Sequence, residues 1–164
     1  MTPMRWKEFQ TACPEIAELA RARFARDQLV MLGTLRADGS PRITPCELDV
    51  ADGELVMGMM WQSRKALDLL RDPRIVVHSV TVNKEGTDGD LKLSGRAEEV
   101  RDERLFEAAR DATEARTDWR PPDQTHFFRL DIERAGYMIF GDGGYGLAWT
   151  PATGLRRLPL PTAE

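Results

Sequence analysis

The sequence contains few of the residues that metal sites and disulfide frameworks require. Its 164 residues include two cysteines, Cys13 and Cys46, and two histidines, His78 and His126. Two cysteines do not form a disulfide framework, and the few soft ligands do not form a zinc-type pattern. We therefore expect reduced thiols and no metal site.

The chain also lacks an excess of positive charge and any long apolar run. Its 23 Lys and Arg are outnumbered by 27 Asp and Glu, which gives a formal net charge of −4. That balance provides no general attraction to nucleic acid or to anionic membranes. The N-terminus has no apolar signal region, and no apolar run reaches the roughly 18 residues of a membrane span. We expect a cytoplasmic protein that acts on a small molecule.

The N-terminal part has helical signals. Proline at the first helical position, in Thr2-Pro3 and again at Pro14, predicts two short helices. The length predicts a single domain over 1–164. Within it we expect a helical cap over 1–27, followed by a barrel with inserted helices over 28–158.

After the cap, the hydrophobic pattern changes to that of β-strands. We predict strands at 29–36, 41–50, 54–60, 75–81, 91–100, 126–132, 136–140, 147–150 and 155–158. Further helices follow Ser63 and run from Asp102 to about Arg116. Strands at this spacing, joined mostly by hairpin turns, predict a mainly β fold with peripheral helices. The expected architecture is an antiparallel sheet that closes or nearly closes into a barrel. An edge strand left uncovered would be an association surface, so a dimer is expected.

A strand-to-helix junction at Ser63-Arg64-Lys65 is electrostatically unusual. Ser63 is a good N-cap residue, whose hydroxyl can accept a backbone N–H of the first turn. Arg64 and Lys65 then face the positive end of the helix dipole, at a cost of about 0.3–1 kcal/mol each. A bound anion would reverse that sign, so the triplet is a candidate phosphate site. The alternative is that Arg64 pairs with Asp68 while Lys65 points into water.

The preceding strands add to this candidate site. In a meander of three strands the second lies between the first and the third, so Arg42 and Thr44 can approach Ser63. Three cations and two hydroxyls in one cluster suit a phosphate dianion better than a metal or a proton-transfer centre. Nearby, Met57, Met59, Met60 and Trp61 offer a polarizable surface for an aromatic ring system, although core packing is the usual role of methionine. Together these residues indicate a nucleotide-like cofactor.

The two histidines leave one alternative open. Haem needs only one axial ligand from the protein, and His78 or His126 could supply it. Each is more often a core or interface residue in such an apolar context, and no motif of the sequence supports a haem site.

The sequence also resembles a known family. Residues 29–44, followed by a strand and by Ser63-Arg64-Lys65 and Asp72-Pro73, are similar to the pyridoxamine 5'-phosphate oxidase-like flavoproteins. The match is good over about 24–100 and weaker over 126–157. The resemblance implies the FMN-binding split-barrel fold and a homodimer with two cofactor sites at its interface.

The resemblance also implies roles for particular residues. The flavin phosphate would be held by Arg42, Ser63, Arg64 and Lys65. The flavin would be bordered by Ile43, Thr44, Pro45, Met59 and Met60. A late Trp and Arg of the partner subunit would reach the site, and Trp149 with Arg156 or Arg157 are the nearest candidates.

The chain departs from the true oxidases at two positions. It carries Glu47 where they have a second lysine, and Asp90 near the position of their glutamine, with Lys92 on the same face. These departures argue against the same vitamin-phosphate substrate. Related split-barrel proteins bind the 8-hydroxy-5-deazaflavin coenzyme, and Lys65 and Asp72-Pro73 fit their pattern equally well.

The resulting expectation is an FMN- or deazaflavin-dependent oxidoreductase. The cofactor would carry the chemistry while the protein supplies a phosphate site, orientation and a shielded ring face. No side chain has to act as a general acid or base, so we name no catalytic residue. The alternative from another class is a non-catalytic flavin-binding module.

Overall fold

The computed structural model describes residues 4–160, so the predicted helix start at Thr2-Pro3 lies outside the described residues. The helices are α1 (Trp6–Ala12), α2 (Pro14–Asp27), α3 (Arg64–Arg71) and α4 (Glu103–Thr117). The strands are β1 (Val30–Leu35), β2 (Pro41–Cys46), β3 (Leu48–Ala51), β4 (Glu54–Met60), β5 (Arg74–Ser79), β6 (Asp90–Glu99), β7 (Thr125–Ile139), β8 (Tyr145–Thr150) and β9 (Gly154–Leu158).

The strands form one antiparallel sheet that nearly closes on itself. Neighbouring strands follow the order β2-β1-β5-β6-β7-β4-β3, and β8 and β9 extend from β7. Strands β2 and β3 are consecutive in the chain and yet lie at opposite ends of this order. The chain therefore joins the two edges of the curled sheet at Glu47. The predicted mainly β, barrel-like fold with peripheral helices is confirmed.

The second predicted strand differs from expectation. The 41–50 segment is interrupted at Glu47, so β2 pairs only with β1 while β3 pairs with β4. The predicted simple meander, in which one strand lies hydrogen-bonded between its two neighbours, is therefore wrong. Strand β3 follows β2 directly in the chain and pairs with β4, so the bend at Glu47 still brings the end of β2 near β4.

The two strands predicted at 126–132 and 136–140 are a single strand, β7. Nothing in the intervening Glu133-Arg134-Ala135 breaks a strand, and a register shift between Ser94 and Gly95 absorbs the extra residue. At this bulge the backbones approach closely, since a Cβ on Gly95 would lie 1.8 Å from the carbonyl oxygen of Asp131. Glycine at position 95 is therefore required by packing.

The core lies inside the barrel and under the N-terminal helices. Trp6, Phe9 and Ile16 of α1 and α2 are buried against strand residues of the main cluster. A second, smaller cluster lies between α4 and strands β3, β4 and β7, where Leu105 of α4 and Phe127 of β7 are buried. In the part of the chain described, no helix is long and apolar enough to cross a membrane. The same residues contain no group of three or more side chains suited to holding a metal ion.

Candidate functional site

Helix α3 is joined to β2 by two side-chain contacts. The Lys65 Nζ donates to the carbonyl oxygen of Pro45 at 2.7 Å. One helical turn further on, Asp68 accepts a hydrogen bond from Arg42 Nε at 2.6 Å. The structure thus brings the predicted residues of β2 and of the Ser63 junction together. The alternative in which Lys65 points into water is wrong.

Asp68 is the buried centre of this junction. Its carboxylate accepts hydrogen bonds from the Thr34 hydroxyl at 3.0 Å, from Arg42, and from Arg71 at 3.2 Å. Burial raises the pKa of Asp68, but the hydrogen bonds from Arg42, Arg71 and Thr34 outweigh it and hold the pKa below the ordinary value. The alternative in which Arg64 pairs with Asp68 is wrong, because Thr34, Arg42 and Arg71 occupy the carboxylate.

Two hydroxyl groups of the predicted cluster are buried without a partner. Ser63 is the N-cap residue of α3, but its side chain makes no capping hydrogen bond. The predicted capping role of its hydroxyl is therefore wrong. The hydroxyl oxygens of Ser63 and Thr44 are both buried, and neither has a hydrogen-bond partner among the described residues. Leaving such a group unpaired costs about 1–3 kcal/mol, so both oxygens are suited to meet a ligand.

An arginine-rich cavity of about 320 Å³ adjoins this junction. Arg36, Arg42, Arg64 and Arg71 line it together with Asp38 and Asp68, which leaves an excess of two positive charges. Arg64 makes no hydrogen bond or ion pair with any described residue. The cavity is thus a place where an anion gains charge-assisted hydrogen bonds without displacing the Arg42–Asp68 pair.

The residues predicted to border a cofactor ring lie at the ends of β2 and β4. Ile43 and Pro45 point outward on β2, and Ile43 is 70% exposed. On β4, Met59 is buried while Met60 is 80% exposed. A planar ring near the two strand ends would therefore contact apolar side chains and strand backbone. Arg42 and Thr44 alternate with these residues and face the junction, as predicted.

The late residues predicted to reach a partner's site lie elsewhere. Trp149 is 2% exposed and packs edge-on against Phe9 at 4.9 Å, so it is a core residue of its own chain. That burial does not agree with a role at another subunit's surface. Arg156 is exposed on β9, and Arg157 stacks on Tyr145 and pairs with Glu15.

Neither histidine is freely available as a ligand. The His78 ring lies 2.6 Å from the carbonyl oxygen of Ser79 and 3.7 Å from Asp90. His126 is 3% exposed, and its Nδ1 lies 3.0 Å from Glu99. The ring of Trp61 stacks on it at 4.4 Å, nearly parallel. The Nε2 of His126 is buried without a partner.

Sequence reasoning missed the central position of Asp68 and the contribution of Thr34. The only sequence signal was Asp68 itself, and local spacing assigned it to Arg64 instead of Arg42. It also missed the Trp61–His126 stack, because Met59 and His126 become neighbours only through the β4–β7 pairing. Neither contact follows from a motif.

The arrangement can hold a phosphate group. Arg64 has free donors, and Lys65 has two hydrogens beyond the one it donates to Pro45. Asp68 orients Arg42. Ser63 and Thr44 offer unpaired hydroxyls. The first turn of α3 adds its exposed backbone N–H groups. No described group at the junction is a histidine or an unpaired carboxylate, so the cluster is suited to binding charge and not to proton transfer.

Comparisons with known proteins identify the family of the chain. The family model described as pyridoxamine 5'-phosphate oxidase matches residues 16–139. Among curated protein sequences, none matches this chain.

Several solved structures share the fold. A haem-binding protein from Mycobacterium smegmatis has a TM-score of 0.66 at 22% identity, over 84% of this chain and 58% of that protein. This chain thus spans little more than half of that relative. PhzG from Burkholderia lata 383, solved with tetrahydrophenazine-1-carboxylic acid, has a TM-score of 0.62 at 14% identity, over 92% and 93% of the two chains. A NimC/NimA family protein from Clostridium acetobutylicum has a TM-score of 0.58 at 15% identity, over 80% and 93%.

Proposed function

The chain belongs to the pyridoxamine 5'-phosphate oxidase family, and from this premise we propose that it is an oxidoreductase that binds a flavin-type cofactor, FMN first of all. The observation that carries the proposal is the pair of buried, unpartnered hydroxyls of Ser63 and Thr44 beside Arg42 and Lys65. A phosphate would satisfy both hydroxyls and bring negative charge to the cations of the junction.

The chain's own residues would bind and orient the cofactor. Arg42, Ser63, Arg64 and Lys65 would hold the phosphate. Lys65 can do so while it keeps its bond to Pro45, because an ammonium group has three donors. Asp68 would fix the Arg42 guanidinium in place without touching the ligand.

A second group of residues would border the ring. Ile43 to Pro45 and Met59 to Met60 would lie along it, with Thr44 turned toward the phosphate. The bound cofactor supplies hydride or electron transfer. The apolar border would keep water away from the ring face, and no side chain of the junction is needed to move a proton.

The 8-hydroxy-5-deazaflavin coenzyme is the alternative cofactor. It too would place an anionic group at the junction, where Lys65 and the Asp72-Pro73 stop of α3 fit its binding pattern. The arginine-rich cavity next to the junction offers further positive charge for a longer anionic tail. Reconstitution with each cofactor separates the two.

We further propose a homodimer with cofactor sites at its interface. Ile43 and Met60 are large apolar side chains, 70% and 80% exposed, at the ends of β2 and β4 that border the proposed ring site. A second copy placed over them would bury apolar surface and cover the cofactor. Arg156 is kept as the partner-derived candidate, since it is exposed, whereas Trp149 is not.

A haem function is the second candidate, because a structure of the same fold binds haem and the Nε2 of His126 has no partner. Iron could reach that nitrogen only if the side chains that bury it moved. A Soret band after haem addition, lost in His126→Ala, would support this function, and its absence would remove it.

The test of the main proposal compares FMN with riboflavin, which lacks only the phosphate. Cofactor-free protein is titrated with each, and binding is followed by flavin fluorescence. We expect FMN to bind at least about a hundred-fold more tightly, because riboflavin lacks several charge-assisted contacts that are each worth about 1.5–3 kcal/mol. Failure of both FMN and the deazaflavin to bind would overturn the proposal. Tight binding with no reoxidation by any acceptor would indicate the non-catalytic module.

A further inference from the structure

A second cavity, of about 430 Å³, lies on the α4 side of the proposed cofactor site. The residues of its lining that matter here are Glu47, Met59, Met60, Trp61, Arg116 and Trp119. We call it the tryptophan cavity. Its volume is within the range of about 300–1,000 Å³ that small-molecule sites occupy. It shares Met59 and Met60 with the proposed ring border, so its occupant would lie beside the cofactor ring.

Aromatic side chains form much of the wall. Trp61 stacks one ring face on His126, which Glu99 holds in place, so its orientation is fixed. Trp61 is nevertheless 50% exposed, and Trp119 is 58% exposed. Two large aromatic rings left half open around one cavity offer stacking surface to a planar molecule.

The opposite wall is held rigidly by α4 and the segment after it. The backbone N–H of Trp119 donates to the Thr117 hydroxyl at 3.3 Å. Arg110 of α4 donates to the carbonyl oxygen of Pro121 at 2.9 Å. The backbone around Trp119 is therefore tied to α4, while its ring stays exposed. Gly58 leaves room for the Phe127 ring, because a Cβ there would lie 3.1 Å from it.

The charges at the cavity select against anions. Arg116 binds Asp49 at 2.6 and 2.9 Å and lies 3.3 Å from Glu47. The hydrogen bond to Asp49 raises the pKa of Arg116 above its ordinary value, so it stays charged. Two carboxylates thus share one guanidinium, and the lining carries an excess negative charge, with Glu47 exposed.

We propose that the tryptophan cavity binds the substrate, and that this substrate is a planar aromatic molecule without a negative charge. The inference rests on the proposed function, because the occupant is a substrate only if a cofactor at the adjoining ring border can react with it. The binding of such a molecule does not depend on the cofactor. A phosphate- or carboxylate-bearing ring would meet Glu47 and find Arg116 already paired.

The experiment uses three planar probes of nearly the same shape: 2-naphthamide, which is neutral, 2-naphthamidine, which is cationic, and 2-naphthoate, which is anionic. Each is titrated into cofactor-free protein by calorimetry. We expect the amide and the amidine to bind and the carboxylate to bind at least about tenfold more weakly. Equal or tighter binding of the carboxylate would overturn the assignment of charge.

Variants locate the binding and identify its cause. Trp119→Ala should weaken the amide about three- to tenfold through lost stacking, and Glu47→Gln should strengthen the carboxylate about three- to tenfold. Phe140→Ala is the control, because that ring is also half exposed but does not line the cavity. Unchanged amide affinity in Trp119→Ala would overturn the location. If no probe binds wild type and the dimer dissociates in Trp119→Ala, the cavity is occupied by a second copy and the substrate assignment is wrong.

The two proposals fail separately. If naphthamide binds as described while FMN does not, the cavity stands and the proposed cofactor is wrong. If FMN binds through the junction while no probe binds, the cofactor site stands and the substrate assignment is wrong.

Discussion

At the scale of single residues, Asp68 determines how the junction is held. Its carboxylate joins β1, β2 and α3 through Thr34, Arg42 and Arg71. Asp68→Asn keeps the shape but leaves the two arginines without their charge partner. We expect a loss of about 1–3 kcal/mol in the free energy of unfolding, measured by urea denaturation. Glu18→Gln removes an exposed pair with Arg21 and should leave the stability unchanged. Equal stability of both variants would show that Asp68 does not hold the junction.

The same residue predicts a pH dependence. Because the folded-state pKa of Asp68 is lowered, its stabilisation is present above the unfolded value of 3.8. It is lost as the pH falls through the folded-state pKa, since protonation then becomes possible in the folded protein as well. The stability difference between wild type and Asp68→Asn should therefore be full at pH 7 and smaller at pH 3. A difference that grew toward acid would contradict the sign.

At the scale of elements, the bulge between β6 and β7 explains why two predicted strands are one. Gly95 lies where a Cβ would meet the Asp131 carbonyl, whereas a Cβ on Gly33 of β1 would lie 3.6 Å from Val76, an ordinary contact. Gly95→Ala should lower the free energy of unfolding by about 1–3 kcal/mol, because the backbone has to move. Gly33→Ala is the matched control and should have little effect. Thermal unfolding tests this, because Gly95→Ala should unfold at a lower temperature than Gly33→Ala, and equal midpoints would contradict the role of the bulge.

The elements also show what the sequence could predict. The Ser63-Arg64-Lys65 junction, the inward face of Arg42 and Thr44, and the antiparallel order of most strands follow from local spacing and turn residues. The break at Glu47 and the single strand β7 do not, since they depend on how the sheet curls and where a bulge absorbs a residue. Asp68 was misassigned for the same reason: spacing along α3 favours Arg64, whereas the fold brings Arg42 closer. The sequence does not indicate Trp119 as a site residue, because Trp61 and Glu47, which line the same cavity, are more than 50 residues away along the chain.

At the scale of the whole molecule, the proposed homodimer predicts an effect of a single surface charge. Ile43→Glu would place two like charges in the interface that covers the ring site, one from each copy. We expect association to weaken at least about tenfold, or about 1.4 kcal/mol, in sedimentation equilibrium. Phe140→Glu changes another exposed apolar residue, which follows the end of β7 away from Met60, and should not alter association. A wild-type protein that stays monomeric at micromolar concentration would contradict the dimer.

The central claim is that the Ser63 junction binds a cofactor phosphate, and one thermodynamic cycle tests it most directly. The dissociation constants of FMN and riboflavin are measured for wild type, for Lys65→Ala and for Lys84→Ala, whose side chain is 91% exposed on the loop before β6. We predict that Lys65→Ala loses roughly ten- to a hundred-fold in FMN affinity and almost none for riboflavin, while Lys84→Ala matches wild type for both. FMN binding by Lys65→Ala as tight as that of wild type would contradict the claim.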